Sequence, residues 1–182
     1  ILAIVGSLRE QSYNRQLALL AKAAVSDRAT FELLEYKDVP LLNQDFEYPA
    51  PEPVKRVREQ VKAADGIWFF TPEYNHAVPG VLKNLIDWLS RPVSKEERQV
   101  LFGKPAAISG ITTGMSGTGI AQDALVALIS LLNMRVMNIP RLTIPNAVQQ
   151  TNAEGKLELV DSAPYLQKQA DAFLRFIADQ KK

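Results

Sequence analysis

The opening stretch ILAIVGSLREQSYNRQLALLAKAA, Ile1 to Ala24, contains the pattern that decides the fold. Ile1 to Val5 is a continuous apolar run closed by Gly6, as expected of a strand buried on both faces. Leu17, Leu20, Ala21 and Ala24 then fall at i, i+3, i+4 and i+7, one face of an amphipathic helix. A strand, a short polar loop and a helix in that order make the first half of a βαβ unit.

The pattern recurs along the chain. Phe31 to Tyr36 reads as a second strand, and after the prolines Pro49, Pro51 and Pro53 the residues Val54, Val57, Val61 and Ala64 mark a second helix. Gly66 to Phe70 is a third strand, short and aromatic. Leu82, Leu85, Ile86 and Leu89 give a third helical face, with Pro79 in its first turn. Pro105 to Ser109 is a fourth strand, followed by a Gly/Ser/Thr-rich run and a helix through Ala121, Ala124, Leu125, Leu128, Leu131 and Leu132. Arg135 to Ile139 reads as a fifth strand, and Leu166, Ala170, Phe173 and Ile177 mark a terminal helix. No repeat, low-complexity tract or linker divides the chain, so residues 1–182 read as one domain. Five βα units predict an α/β fold, a doubly wound five-stranded parallel sheet with helices on both faces.

Composition narrows the chemistry. The 182 residues are 47% hydrophobic and 23% charged, the balance of an ordinary globular protein. Lys+Arg 21 against Asp+Glu 20 gives a net charge of +1, which offers no electrostatic footprint for nucleic acid. Cysteine is absent and histidine occurs once, as His76. Disulfides, thiol nucleophiles and thiolate metal sites are thereby excluded, and a zincin or a Ser/His/Asp hydrolase is disfavoured. No metal ligand and no catalytic side chain is nominated. An enzyme of this composition is expected to leave the hard chemistry to a bound cofactor. No run approaches the ~20 apolar residues of a membrane span, and the lack of cysteine makes a cytoplasmic location the expectation. Ile1 stands in place of an initiating methionine, so a few residues are expected upstream.

In doubly wound sheets ligands lie beyond the carboxyl ends of the strands, at the point where the winding reverses. For the flavodoxin-like strand order 2-1-3-4-5 that point falls between strands one and three. The loop after strand one, Gly6-Ser7-Leu8-Arg9-Glu10-Gln11-Ser12-Tyr13-Asn14, puts short polar side chains and a guanidinium before a helix N-terminus, which suits an anion such as a phosphate. The alternative is that Ser12 caps the helix and Arg9 is a solvated surface charge; the residues alone leave both open. The fingerprint G-x-G-x-x-G and the P-loop are absent. The loop after strand three, Thr71-Pro72-Glu73-Tyr74-Asn75-His76, offers backbone groups for the edge of a flat heterocycle, although each residue taken singly reads as a turn-former. His76 reads as a satisfied polar residue or a rim contact ahead of a proton shuttle. The loop after strand four contains Gly114-Met115-Ser116-Gly117-Thr118, a near match to G-x-S-x-G. Thr118 replaces the second glycine and His76 precedes the serine, so a hydrolase is disfavoured.

Taken together, Gly6-Ser7-Leu8-Arg9 with Ser12, Asn14 and Leu17-Ala18, the segment Thr71-Pro72-Glu73-Tyr74-Asn75 and the run Pro79 to Leu89 closely resemble the NADPH-dependent FMN reductase family, nearest to the bacterial quinone and chromate reductases. The resemblance runs from strand one to about Ile139. It implies a flavodoxin-like fold, non-covalent FMN, and ping-pong hydride transfer from NADPH or NADH to quinones, chromate, azo dyes or free flavin. By that resemblance Ser7, Arg9, Ser12 and Asn14 hold the FMN phosphate, with Leu8 and Tyr13 in the same cofactor-binding loop. Pro72, Glu73, Tyr74 and Asn75 line the isoalloxazine, and Ile111 and Thr112 are nominated after strand four, where the family's paired glycines read Gly117-Thr118-Gly119. It also implies a homodimer or homotetramer that completes each active site. The rival readings are a flavodoxin-type electron carrier, whose acidic surface this chain lacks, and a sensor or scaffold with a degenerate pocket.

Overall fold

A computed structural model describes residues 1–180. The elements run β1 (Leu2–Val5), α1 (Tyr13–Val25), β2 (Glu32–Leu33), α2 (Glu52–Ala63), β3 (Ile67–Phe70), α3 (Gly80–Leu89), β4 (Pro105–Ile111), α4 (Gly119–Leu131), β5 (Arg135–Val136), β6 (Leu142–Ile144) and α5 (Ala163–Gln180). All pairings are parallel, in the order β2-β1-β3-β4-β5, with β6 also on β4. This is the flavodoxin-like order that the alternation predicts.

Every residue of β1, β3 and β4 is buried, which is why these strands read as unbroken apolar runs. Alternate residues feed two layers. Ala3, Val5, Trp68 and Phe70 pack under α1 and α5. Leu2, Ile4, Ile67 and Phe69 pack against α2, α3 and α4. Trp68 anchors the first layer, stacked on Phe70 at 5.3 Å and edge-on to Phe173 at 5.5 Å between ring centroids. Each such contact contributes about 1 kcal/mol beyond simple burial.

The structure departs from expectation at the sheet edges. The second strand pairs only through Glu32 and Leu33, although the Leu34 N–H still donates to the Ala3 carbonyl at 2.9 Å. The fifth strand position is split: β5 pairs with Pro105 and Ala106, and β6 with Ser109 to Ile111. In the gap, the side-chain amide of Gln169 from α5 donates to the carbonyls of Ile108 at 2.8 Å and Pro140 at 3.0 Å. Gln169 is fully buried, and its Oε1 accepts from Ser109 Oγ at 2.6 Å, which in turn accepts from Trp68 Nε1 at 2.8 Å. A side chain thus replaces the missing ladder bond, as a buried carbonyl requires. In α4, Leu131 is 77% exposed and the buried face is Ala121, Gln122, Leu125 and Ile129. Pro79 stands one residue before α3, at its N-cap. No helix among the described residues is long and apolar enough to cross a membrane.

Candidate active site

Three loops meet beyond the carboxyl ends of β1, β3 and β4. They approach closely because two glycines leave room. A Cβ on Gly6 would come within 3.1 Å of Pro72 Cδ, and one on Gly110 would overlap Thr118 Oγ1 and come within 2.5 Å of the Thr71 carbonyl.

Side chains then tie the loops together. Asn14, on the first turn of α1, is buried, and its amide bonds both backbone groups of Ile111: Nδ2 donates to the carbonyl at 2.9 Å and Oδ1 accepts the N–H at 3.1 Å. Glu73, after β3, reaches the N-terminus of α4, where Oε2 accepts the Ala121 N–H at 3.0 Å. Burial pushes the Glu73 carboxyl up, but the bonds from Ala121, Ser116 and His76 outweigh it and hold the group below the usual carboxylate range. The residues after Glu73 form a tight hairpin, in which Tyr74 and Ala77 exchange backbone bonds of 3.3 and 3.1 Å. Its central residues Asn75 and His76 have φ of +52° and +58°, the backbone of a primed turn.

The two helix N-termini in the site are treated differently. The macrodipole of α4 meets the Glu73 carboxylate, an intramolecular anion where one is favoured. At α1 the N-cap is Ser12, only 3% exposed, whose hydroxyl makes no capping bond; the first turn carries no acidic residue. The capping alternative for Ser12 is therefore not what the structure adopts. Arg9 is exposed and, among the described residues, forms no ion pair. Ser7 is buried, its Oγ accepting the Arg9 N–H at 3.4 Å. The α1 end thus presents amides, hydroxyls and a guanidinium, with no acidic residue in the first turn of the helix, which suits a phosphate.

A cavity of about 240 Å³ opens between the loops. Ser7, Arg9, Ser12, Tyr13, Asn14, Pro72, Glu73, Tyr74, Ile111 and Thr112 line it, together with Thr113, which belongs to the loop after strand four but is not among the nominated residues. Its only signal there was its place beside Thr112. Of the other two candidates, Leu8 lines an adjoining cavity of about 430 Å³ together with Tyr36 and Lys37, and Asn75 stands in the exposed turn. Tyr36 is held in the wall of that second cavity by donating its hydroxyl to the Val5 carbonyl at 2.6 Å.

The sequence profile of the NADPH-dependent FMN reductases matches residues 1–149, which covers all three loops. The chain belongs to the NADPH-dependent FMN reductase family. Relatives in this family align along nearly the whole length. A 2-hydroxy-1,4-benzoquinone reductase of Burkholderia is 38% identical over 182 residues, covering 100% of this chain and 97% of that protein. An NAD(P)H-dependent FMN reductase of Pseudomonas aeruginosa is 39% identical over 173 residues, 94% of this chain and 91% of the relative. Among solved structures, the flavoenzyme NAD(P)H:(acceptor) oxidoreductase FerB of Paracoccus denitrificans superposes with a TM-score of 0.88 at 33% identity, covering 98% and 97% of the two chains.

Proposed function

We propose that this protein is an FMN-containing NAD(P)H oxidoreductase that reduces quinones and similar small acceptors. The observation that carries the reading is the unneutralised N-terminus of α1, with Ser12 uncapping and Arg9 unpaired, opening into the same cavity as the loop after β3. Membership of the NADPH-dependent FMN reductases and the names of the quinone-reducing relatives support it.

When bound, FMN would supply two-electron redox chemistry by taking and giving a hydride. The work left to the chain is binding and orientation. Ser7, Arg9 and Ser12, with the first-turn amides of α1, suit the phosphate. Asn14 holds that helix start against the end of β4 through Ile111. Pro72, Glu73 and Tyr74 wall the cavity on the β3 side, and Ile111, Thr112 and Thr113 on the β4 side. The Tyr74–Ala77 hairpin gives the rim a fixed shape. With FMN held there, nicotinamide and acceptor would use its exposed side one after the other, so ping-pong turnover is the expected kinetic form.

A carrier that merely passes electrons would need a partner protein. The decisive experiment is steady NAD(P)H consumption by the purified yellow protein with a quinone and nothing else added; a colourless protein that takes up no added FMN would sink the reading. A homodimer or homotetramer and a cytoplasmic location complete the proposal, to be checked by sedimentation and by fractionation.

A further inference from the structure

His76 is the single histidine of the chain, and the site described so far gives it no task. Its setting is nonetheless specific. It takes φ +58° in the turn entered from Tyr74, a backbone uncommon for a side-chain-bearing residue and held here by the hairpin bonds around it. Its Nδ1 lies 3.2 Å from Glu73 Oε1. The Glu73 side chain is 5% exposed and the imidazole 73%. The other carboxylate oxygen is fixed by the Ala121 N–H, so the carboxylate cannot swing away with the ring.

The bonds that depress Glu73 keep it ionised at neutral pH, and an ionised carboxylate only accepts hydrogen bonds. Nδ1 must therefore carry a hydrogen toward Glu73. That leaves Nε2 as the free nitrogen of an exposed ring, able to take a proton from water and give it up again.

We propose that His76 is the proton donor to the electron acceptor, with Glu73 as the positioning residue that sets its tautomer and orientation. This inference rests on the reductase reading above. Reduction of a quinone to a hydroquinone takes a hydride, which originates in the nicotinamide, and one proton. The proton comes from Nε2–H of the imidazolium, and the ring is recharged from solvent. The sum is one quinone, one NAD(P)H and one H⁺ giving one hydroquinone and one NAD(P)⁺. Glu73 lines the cavity, and His76 is bonded to it from the exposed turn that follows Tyr74, which puts the donor at the edge of the site.

The test uses two acceptors. A quinone needs the proton, whereas ferricyanide takes one electron at a time and needs none. His76→Asn suits the backbone, since asparagine tolerates positive φ. The expected result is a fall of about 10²-fold in the ratio of quinone to ferricyanide turnover, the lower range of general acid catalysis. A second readout needs no turnover. In the FMN-free protein, ¹⁵N NMR of the neutral imidazole should show the hydrogen on Nδ1, and Glu73→Gln should weaken that preference. An unchanged ratio in His76→Asn, or a wild-type imidazole protonated on Nε2, overturns the proposal. A wild-type protein that reduces neither acceptor with either nicotinamide overturns the reductase reading itself, and the proton donor with it.

Discussion

The side-chain amide of Asn14 pairs with both backbone groups of Ile111, a residue 97 positions further along the chain. This one contact couples the phosphate-side loop to the end of β4. Asn14 is 2% exposed and Ile111 1%, so neither backbone group has water to fall back on. Asn14→Ala is expected to cost about 2–3 kcal/mol in urea denaturation, the range for buried polar groups left unpaired. Asn14→Asp keeps the acceptor for the Ile111 N–H but loses the donor, and should not recover the wild-type stability.

Arg9 bears on affinity and hardly on stability, because it is exposed and unpaired. Arg9→Ala should weaken FMN binding about tenfold, a modest value for a charge-assisted hydrogen bond. Riboflavin, which lacks the phosphate, should bind both proteins alike. Fluorescence titration of the two ligands against both proteins checks this, and an equal loss for riboflavin would move Arg9 away from the phosphate.

Glu73 makes stability depend on pH in a definite direction. Its carboxyl is lowered in the native state, so the unfolded chain binds its proton at higher pH than the folded one does. The stabilisation is therefore fully present above the unfolded carboxylate value and is lost as pH falls through the native value. Melting temperatures of wild type and Glu73→Gln, taken from pH 7 down to pH 3, should differ most at neutral pH and converge in acid.

Gly110 is a packing requirement rather than a flexibility device. An added methyl would overlap Thr118 Oγ1 and approach the Thr71 carbonyl to 2.5 Å. Gly110→Ala should cost about 3 kcal/mol, the upper part of the usual range for overpacking. Thr118 is itself at φ +72°, strained for a β-branched residue. Adding Thr118→Gly to Gly110→Ala should restore part of the loss in thermal denaturation, the Thr71 contact keeping the rest.

Much of the architecture was legible because burial on both faces leaves a one-dimensional mark. β1, β3 and the helix faces of α1, α3 and α5 could be read from runs and spacings alone. The edges were not. Glu32–Leu33 is a shorter strand than Phe31 to Tyr36 suggested, and the fifth position breaks where Gln169 supplies the missing bonds. An edge strand is held by one neighbour only, so its ends follow what packs nearby more than its own composition.

For the site, the sequence by itself determined the cast. It named the loops, the phosphate-suited residues before α1 and the scarcity of reactive side chains that leads one to expect a cofactor. Only the tertiary structure decided the parts. Asn14 lines the cavity and is also a strut to Ile111; Ser12 stands at a cap position without capping; Glu73 and the lone His76 form a pair anchored on α4. The reason is physical. A polar side chain takes its role from the partner it meets in space, and those partners lie 97 residues from Asn14 and 48 from Glu73, beyond the reach of any local pattern.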